Sequence, residues 1–192
     1  MNVSILGNGL TSLTLAKMLV NQGIKVDIFL GKKTKRYNKI QTLGISKTNI
    51  EFFNKNISNI SKFLWGIDNI EIYSENLKNE KILNFENKGS NLFYIARNCN
   101  LYQHLFLNLK KNKLIKFKKK ISYSNLLKSR YSLIFNCDHC NFISKKFFFR
   151  KVNKDYKSFA YVTTFKHKRI SNNNIASQVF TKNGPIAFLP IS

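Results

Sequence analysis

Two short stretches carry residue types that could do chemistry. One is Cys137-Asp138-His139-Cys140, a pair of thiols two residues apart with a carboxylate and an imidazole between them. That spacing could be half of a zinc site, a redox pair, or two incidental thiols. Zinc takes four ligands, so two more would have to come from elsewhere. The remaining candidates are Cys99, His104 and His167, and the chain has no second Cys-x-x-C and no His pair. A redox pair normally opens a helix in a thioredoxin-like setting. The spacing alone does not decide among the three.

The other stretch is "GNGLTS", which reads G-x-G-x-x-S from Gly7 and Gly9 to Ser12. Each position has a physical task in dinucleotide binding. Gly7 permits a tight turn. Gly9, lacking a Cβ, lets a pyrophosphate approach the backbone. Ser12 is small enough for a helix to lie close to the preceding strand. The free amides at the helix start would then face the phosphates. A bare structural strand-to-helix turn remains the alternative. The acid that usually holds the ribose hydroxyls should end the next strand, where this chain has Leu30.

The elements around these stretches determine whether the motif is in its proper setting. Residues 2–7 form a short apolar run rich in strand formers. Residues 10–23 place Leu13, Ala16, Leu19 and Val20 on one helical face, and Gly23 ends it. Residues 25–30 read as a second strand, so the opening is a βαβ unit and implies a parallel sheet. Residues 31–39 read as a Lys-rich surface loop. Residues 46–56 and 58–66 read as short helices, with Ser46 and Ser58 as N-caps. Strands are expected at 69–75, 81–86, 91–96, 113–119, 131–137, 156–168, 174–182 and 185–191. A helix at 100–112 carries Leu101, Leu105 and Leu109 on one stripe. The fold class expected is α/β. A Rossmann-like layer spans 1–155, with inserted strands at about 69–96, and a mostly antiparallel β layer begins at 156–192.

The 192 residues include 33 Lys and Arg against 9 Asp and Glu, a formal net charge of +24. Such a balance is compatible with an anionic membrane surface or with nucleic acid. Nearly all the cations are Lys, however, and most are spread along the chain, whereas nucleic-acid readers concentrate Arg. The N-terminus lacks a basic region and a continuous apolar run, so it does not read as a signal peptide. No stretch reaches the roughly 18–20 apolar residues of a spanning helix. With three cysteines and no secretion signal, reduced thiols and a cytoplasmic setting are expected, with peripheral membrane association compatible with the charge.

Several further stretches resemble one family, the FAD-dependent aromatic hydroxylases of ubiquinone biosynthesis, within the wider class of flavin monooxygenases that hydroxylate phenols. Residues 41–53 resemble the segment after the second strand, with Gln41 where the family has Arg. Residues 94–105 resemble the strand-to-helix segment that helps hold FAD. Residues 165–190 resemble the most family-specific stretch, with His167, Ala176, Phe180, Gly184, Pro185, Ala187, Leu189 and Pro190 at matching places.

This resemblance puts "CDHC" at the family's Asp-Gly motif, which touches the flavin nucleotide. Asp138 matches the Asp and Asn141 a following polar residue. His139 replaces the Gly, Phe142 a small Ser, and Lys145 an Arg. The two thiols then become incidental, and no metal is implied. The resemblance implies FAD as cofactor, NAD(P)H as reductant, and a polyprenylated phenol as substrate. Gly7, Gly9 and Ser12 would lie at the pyrophosphate, Asp138 at the flavin nucleotide, and Arg97 or Asn98 near the FAD phosphates. Arg97 could equally be a surface cation, and His167 a structural strand residue. No side chain is implied as a catalytic acid or base. Family members are about twice as long, with a second flavin motif in the half this chain lacks. The expectation is therefore a truncated or split hydroxylase, or an inactive fragment whose C-terminal half is a separate chain.

Overall fold

The computed structural model describes all residues except 31–40, 78, 79, 88, 120, 121, 151, 169–171 and 192. The loop expected at 31–39 therefore lies outside the described residues. In chain order the elements are β1 (Asn2–Leu6), α1 (Leu10–Asn21), β2 (Lys25–Phe29), β3 (Thr42–Ile45) and α2 (Lys47–Asn56). Next come β4 (Leu64–Ile67), β5 (Asn69–Ser74), β6 (Lys81–Glu86), β7 (Phe93–Arg97) and α3 (Asn98–Lys110). The last are β8 (Ile115–Lys118), α4 (Tyr123–Lys128), β9 (Leu133–Asn136), α5 (Phe142–Phe147), β10 (Ile175–Thr181) and β11 (Gly184–Phe188). The chain divides into two compact units, the first comprising residues 1–39, 56–58 and 98–162, the second 40–55, 59–97 and 163–192.

The first unit is built on a parallel sheet of order β8-β2-β1-β9. Helices lie against the sheet, so its central strands are buried without alternation. Val3, Ile5, Val26 and Ile28 are fully buried. Along α1, Leu13, Ala16 and Val20 are buried, while on α3 the stripe Leu101, Leu105 and Leu109 is buried, and the two helices pack together. At the end of α1 the amides of Gln22, Gly23 and Ile24 return to the carbonyls of Leu19 and Val20. Gly23 takes φ +74, a conformation that costs a residue with a Cβ. A second cluster, Leu6, Phe29 and Leu126 with Tyr131, Phe142 and Ile143, brings in α4 and α5.

The second unit contains two sheets. One is antiparallel, of order β3-β7-β4. The other has order β11-β10-β5-β6, antiparallel except for the parallel pair β5 and β10. Ile67, Ile95 and Ala176 form the core, with Trp65, Ile70, Phe93 and Ile191 against it. The Trp65 indole N–H is satisfied by the Asn173 carbonyl at 2.8 Å. The α/β class, with one parallel sheet and further antiparallel strands, is as the sequence implies.

Two of the expected elements do not form, and β3, α4 and α5 form where no element was expected. Residues 58–66 do not form a helix: a short 3-10 turn at Ser61–Phe63 leads directly into β4. Trp65 and Ile67 are drawn into pairing with β7, and tertiary pairing outweighs the weak helical pattern. Residues 156–168 carry β-branched and aromatic side chains but have no regular structure and are exposed throughout. Strand propensity yields a strand only where a neighbour supplies hydrogen bonds. By contrast Ser46 does cap α2, its hydroxyl accepting from the Asn49 amide at 3.3 Å.

Candidate functional site

In the parallel sheet, β2 lies on one side of β1 and β9 on the other. The chain leaves β1 toward one edge and returns much later on the opposite side. This is a topological switch point, where the carboxyl ends of adjacent strands open a crevice. Gly7 and Asp138 sit at those two ends.

Gly7 follows β1 with φ +109, and its amide donates to the Phe29 carbonyl at 2.9 Å. A Cβ at this position would meet Cys137 C and Asp138 Cβ at 3.2 Å. Both the turn and the neighbouring strand therefore require glycine. Gly9 differs: its backbone is extended, with φ −73 and ψ 176, and a Cβ there would meet no atom within 4 Å. Gly9 is the N-cap residue of α1, so no side chain caps the helix, and no acidic residue lies in its first turn. The first turn-forming amide is that of Leu13, which donates to the Gly9 carbonyl at 3.1 Å. The helix start thus offers amides and the positive end of its dipole to open space. Ser12 is fully buried, as the small third position requires.

Asp138 is held by a hydrogen-bonded loop. Its Oδ1 accepts from the Cys140 amide at 2.9 Å, and its carbonyl accepts from the Ser144 hydroxyl at 2.9 Å. Asn136 donates to Ser144 Oγ at 2.8 Å, and Asn141 donates to Asn136. Asn141 also caps α5, accepting from the Ser144 amide at 2.9 Å. An open cleft of about 400 Å³ beside this loop is lined by Asn136, Cys137, His139, Ser144 and Phe148. Burial pushes the Cys137 thiol up from its ordinary value, and a hydrogen bond with Ser12 partly offsets this.

α1 and α3 each lead into a strand of the same parallel sheet and pack side by side, so both helix starts lie at its carboxyl edge. Asn98 opens α3 there, with its side-chain carbonyl buried and without a hydrogen-bond partner among the described residues. An orphaned buried acceptor at this edge is suited to a ligand donor. The first unit thus gathers Gly7, Gly9, Ser12, Asn98 and Asp138 at one edge of one sheet. Arg97, half-buried, is the last residue of β7 in the second unit, opposite Thr42.

The sequence motif gave no sign of a polar cluster beneath β2. Asp27 is buried and takes a 2.6 Å ion pair from Lys118 and a 2.6 Å hydrogen bond from the Tyr131 hydroxyl. The Asp27 bond raises Lys118 above its usual value, and burial foremost raises the Tyr131 phenol. A carboxylate tied up in this way is not the ribose acid. Leu30 occupies that place, half-buried, its amide bonded to the Lys118 carbonyl at 3.0 Å. The signal that could have exposed the cluster is a lone acid in an otherwise apolar buried strand, since such a group needs a partner.

Potential metal donors within 4.8 Å of one another are found in Asp138, His139 and Cys140, the last two exposed. Cys137 is not part of that group, and all three cysteines are free thiols.

No family model matches the sequence, and no curated protein matches it. Solved structures do share its fold. PqsL from Pseudomonas aeruginosa, described as a probable FAD-dependent monooxygenase, matches with a TM-score of 0.58 at 12% identity, over 81% of this chain and 48% of that one. The p-nitrophenol 4-monooxygenase PnpA from Pseudomonas putida DLL-E4 matches with a TM-score of 0.50 at 12% identity, over 61% of this chain and 31% of that one. The chain therefore spans a third to a half of the length of these neighbours. A parallel sheet with a glycine turn at its switch point, joined to antiparallel strands, is the fold that this chain shares with part of those FAD-dependent and phenol-oxidising monooxygenases.

Proposed function

We propose that the chain binds the ADP portion of FAD at the carboxyl edge of its parallel sheet, as the nucleotide-binding part of a flavin-dependent aromatic monooxygenase. The observation that carries this reading is the start of α1. It is a helix terminus without a side-chain cap, and a Cβ on Gly9 would meet no atom within 4 Å, so a phosphate could approach the backbone there. The α1 amides bind the phosphates. Gly7 brings Asp138 against the turn, and the Cys140 amide orients the Asp138 carboxylate toward the nucleotide. The orphaned Asn98 carbonyl accepts from the ligand at the same edge. Bound FAD would supply the redox chemistry, accepting a hydride from NAD(P)H and activating O2 for insertion into a phenol ring. The resemblance of residues 165–190 supports a polyprenylated phenol as substrate and a place in ubiquinone biosynthesis.

A second reading is a binding module without activity of its own, completed by a separate chain. Exposed apolar residues on both outer strands of the larger sheet favour it. Ile82, Leu83 and Phe85 on β6 and Ile186 and Phe188 on β11 are all 45–51% exposed. Open apolar edges of this kind normally have a cover. Leu30 and His139, which depart from the pattern, favour it as well. The test is the absorption spectrum of the purified protein after incubation with FAD and removal of excess, followed by NAD(P)H consumption with a phenol. Retained flavin with phenol-dependent consumption supports an enzyme. Retained or weakly held flavin without consumption supports the module. No flavin interaction at any concentration rejects both.

A further inference from the structure

After α5 the chain runs exposed and without regular structure from 152 to 162. Six Lys or Arg fall between residues 145 and 157, against one carboxylate, Asp155. Large apolar and aromatic side chains are interleaved with them. Phe147 is 55% exposed, Phe149 69%, Tyr156 73%, Phe159 85% and Tyr161 94%. The cations already lie on these rings: Lys146 over Phe147 at 5.6 Å, Arg150 over Phe149 at 6.0 Å, and Lys154 over Tyr156 at 5.2 Å. More than half of each of these ring side chains faces solvent, and the charge around them is predominantly positive.

We propose that residues 145–161 dock the protein onto an anionic phospholipid surface, the cations meeting the headgroups and the rings entering the interfacial layer. Charge complementarity selects the partner. A polybasic segment is drawn to an anionic leaflet, with an affinity contribution on the order of fivefold for each cation near the surface. Aromatic side chains are favoured at the boundary between headgroup and acyl chain. Single-stranded nucleic acid would also use cations and rings, but its binders stack bases on a shaped groove or sheet platform. Here the rings belong to an irregular segment, accompanied by the exposed aliphatic side chains of Val152 and Val162. Those two offer lipid an apolar surface and offer a base no ring to stack on. No described helix is long and apolar enough to cross a membrane, so the contact is peripheral. The proposal is independent of flavin binding, because the residues its test varies, Phe149, Arg150, Lys154 and Phe159, have not been placed at the dinucleotide edge.

The test is flotation of the whole chain, without added FAD, with vesicles of phosphatidylcholine alone and with equimolar phosphatidylcholine and phosphatidylglycerol. Two variants accompany it: Arg150→Gln with Lys154→Gln, and Phe149→Ser with Phe159→Ser. The parent should float only with the anionic vesicles and less so as salt is raised. Each double variant should bind at least tenfold more weakly while keeping the parent's melting transition. Equal flotation with neutral vesicles, no flotation, or variants that float like the parent would overturn the proposal. So would binding of single-stranded RNA at the same salt by a chain that ignores the anionic vesicles.

Discussion

Gly7 and Gly9 share a motif but make opposite predictions. Gly7→Ala meets both a left-handed backbone angle and a strand at 3.2 Å, so it should lower stability by about 2 kcal/mol or more in urea unfolding. An unchanged midpoint would mean that the turn can relax. The cysteines can be read in the same way. Cys140 is exposed, whereas Cys137 is partly buried and its thiol is raised by burial, so it holds its proton at neutral pH. A thiol reagent should therefore label Cys140 first, with Cys137 following only as the pH is raised, because the thiolate is the reactive form. Mass spectrometry of labelled peptides checks the order, and equal rates would contradict the burial of Cys137. Replacing Cys137 and Cys140 with Ser should cost on the order of 1 kcal/mol if they are incidental. A structural zinc site would cost roughly 10 kcal/mol or more and collapse with chelator. Metal analysis and melts of parent and variant separate these outcomes.

Among the elements, those whose pattern and pairing agree were legible in the sequence. The βαβ opening reads correctly because a continuous apolar run, a glycine turn and a 3.6-residue stripe are local signals, and the Leu stripe of α3 is another. Residues 58–66 and 156–168 misled because their outcome depends on a distant partner: β7 captures one, and among the described residues no strand pairs with the other. The Asp27, Lys118 and Tyr131 cluster was illegible for the same reason, since its members lie 91 and 13 residues apart in the chain but meet under one sheet. It ties β2 to β8 and to the segment before β9. Lys118→Met should destabilise the fold by about 1–2 kcal/mol, discounted because Lys118 is partly exposed, and the loss should shrink in high salt. Denaturation curves at two salt concentrations measure this. At the end of β2, Leu30→Glu would place a carboxylate where ribose hydroxyls are expected. Charge-assisted hydrogen bonds net roughly 1.5–3 kcal/mol, so FAD affinity should rise about tenfold or more. No rise would place the adenosine elsewhere.

For the molecule as a whole, the fold matches part of longer solved structures, PqsL among them, and the chain divides into two units. The switch-point edge lies in the first unit, whereas Arg97 and the apolar outer strands lie in the second. Binding by these 192 residues tested alone should be weak, because they span only 48% of PqsL, and whatever further chain would add in contacts is absent from the test. Each 1.4 kcal/mol of lost contact is about tenfold in affinity. The central claim is that the dinucleotide pyrophosphate lies over Gly9. Gly9→Ala tests it, since the added Cβ meets no protein atom and the backbone angle is one that Ala adopts freely, leaving only the modest cost of Ala at an N-cap, on the order of 1 kcal/mol. The decisive measurement is an FAD titration, followed by flavin fluorescence, of the parent and Gly9→Ala, with the melting transition of each recorded without ligand. The account predicts weak saturable binding by the parent, at least tenfold weaker binding by the variant, and a melting transition in the variant lowered by no more than the N-cap cost, with both proteins folded at the titration temperature. Equal FAD affinity in the two proteins, or no saturable binding by the parent, would contradict it.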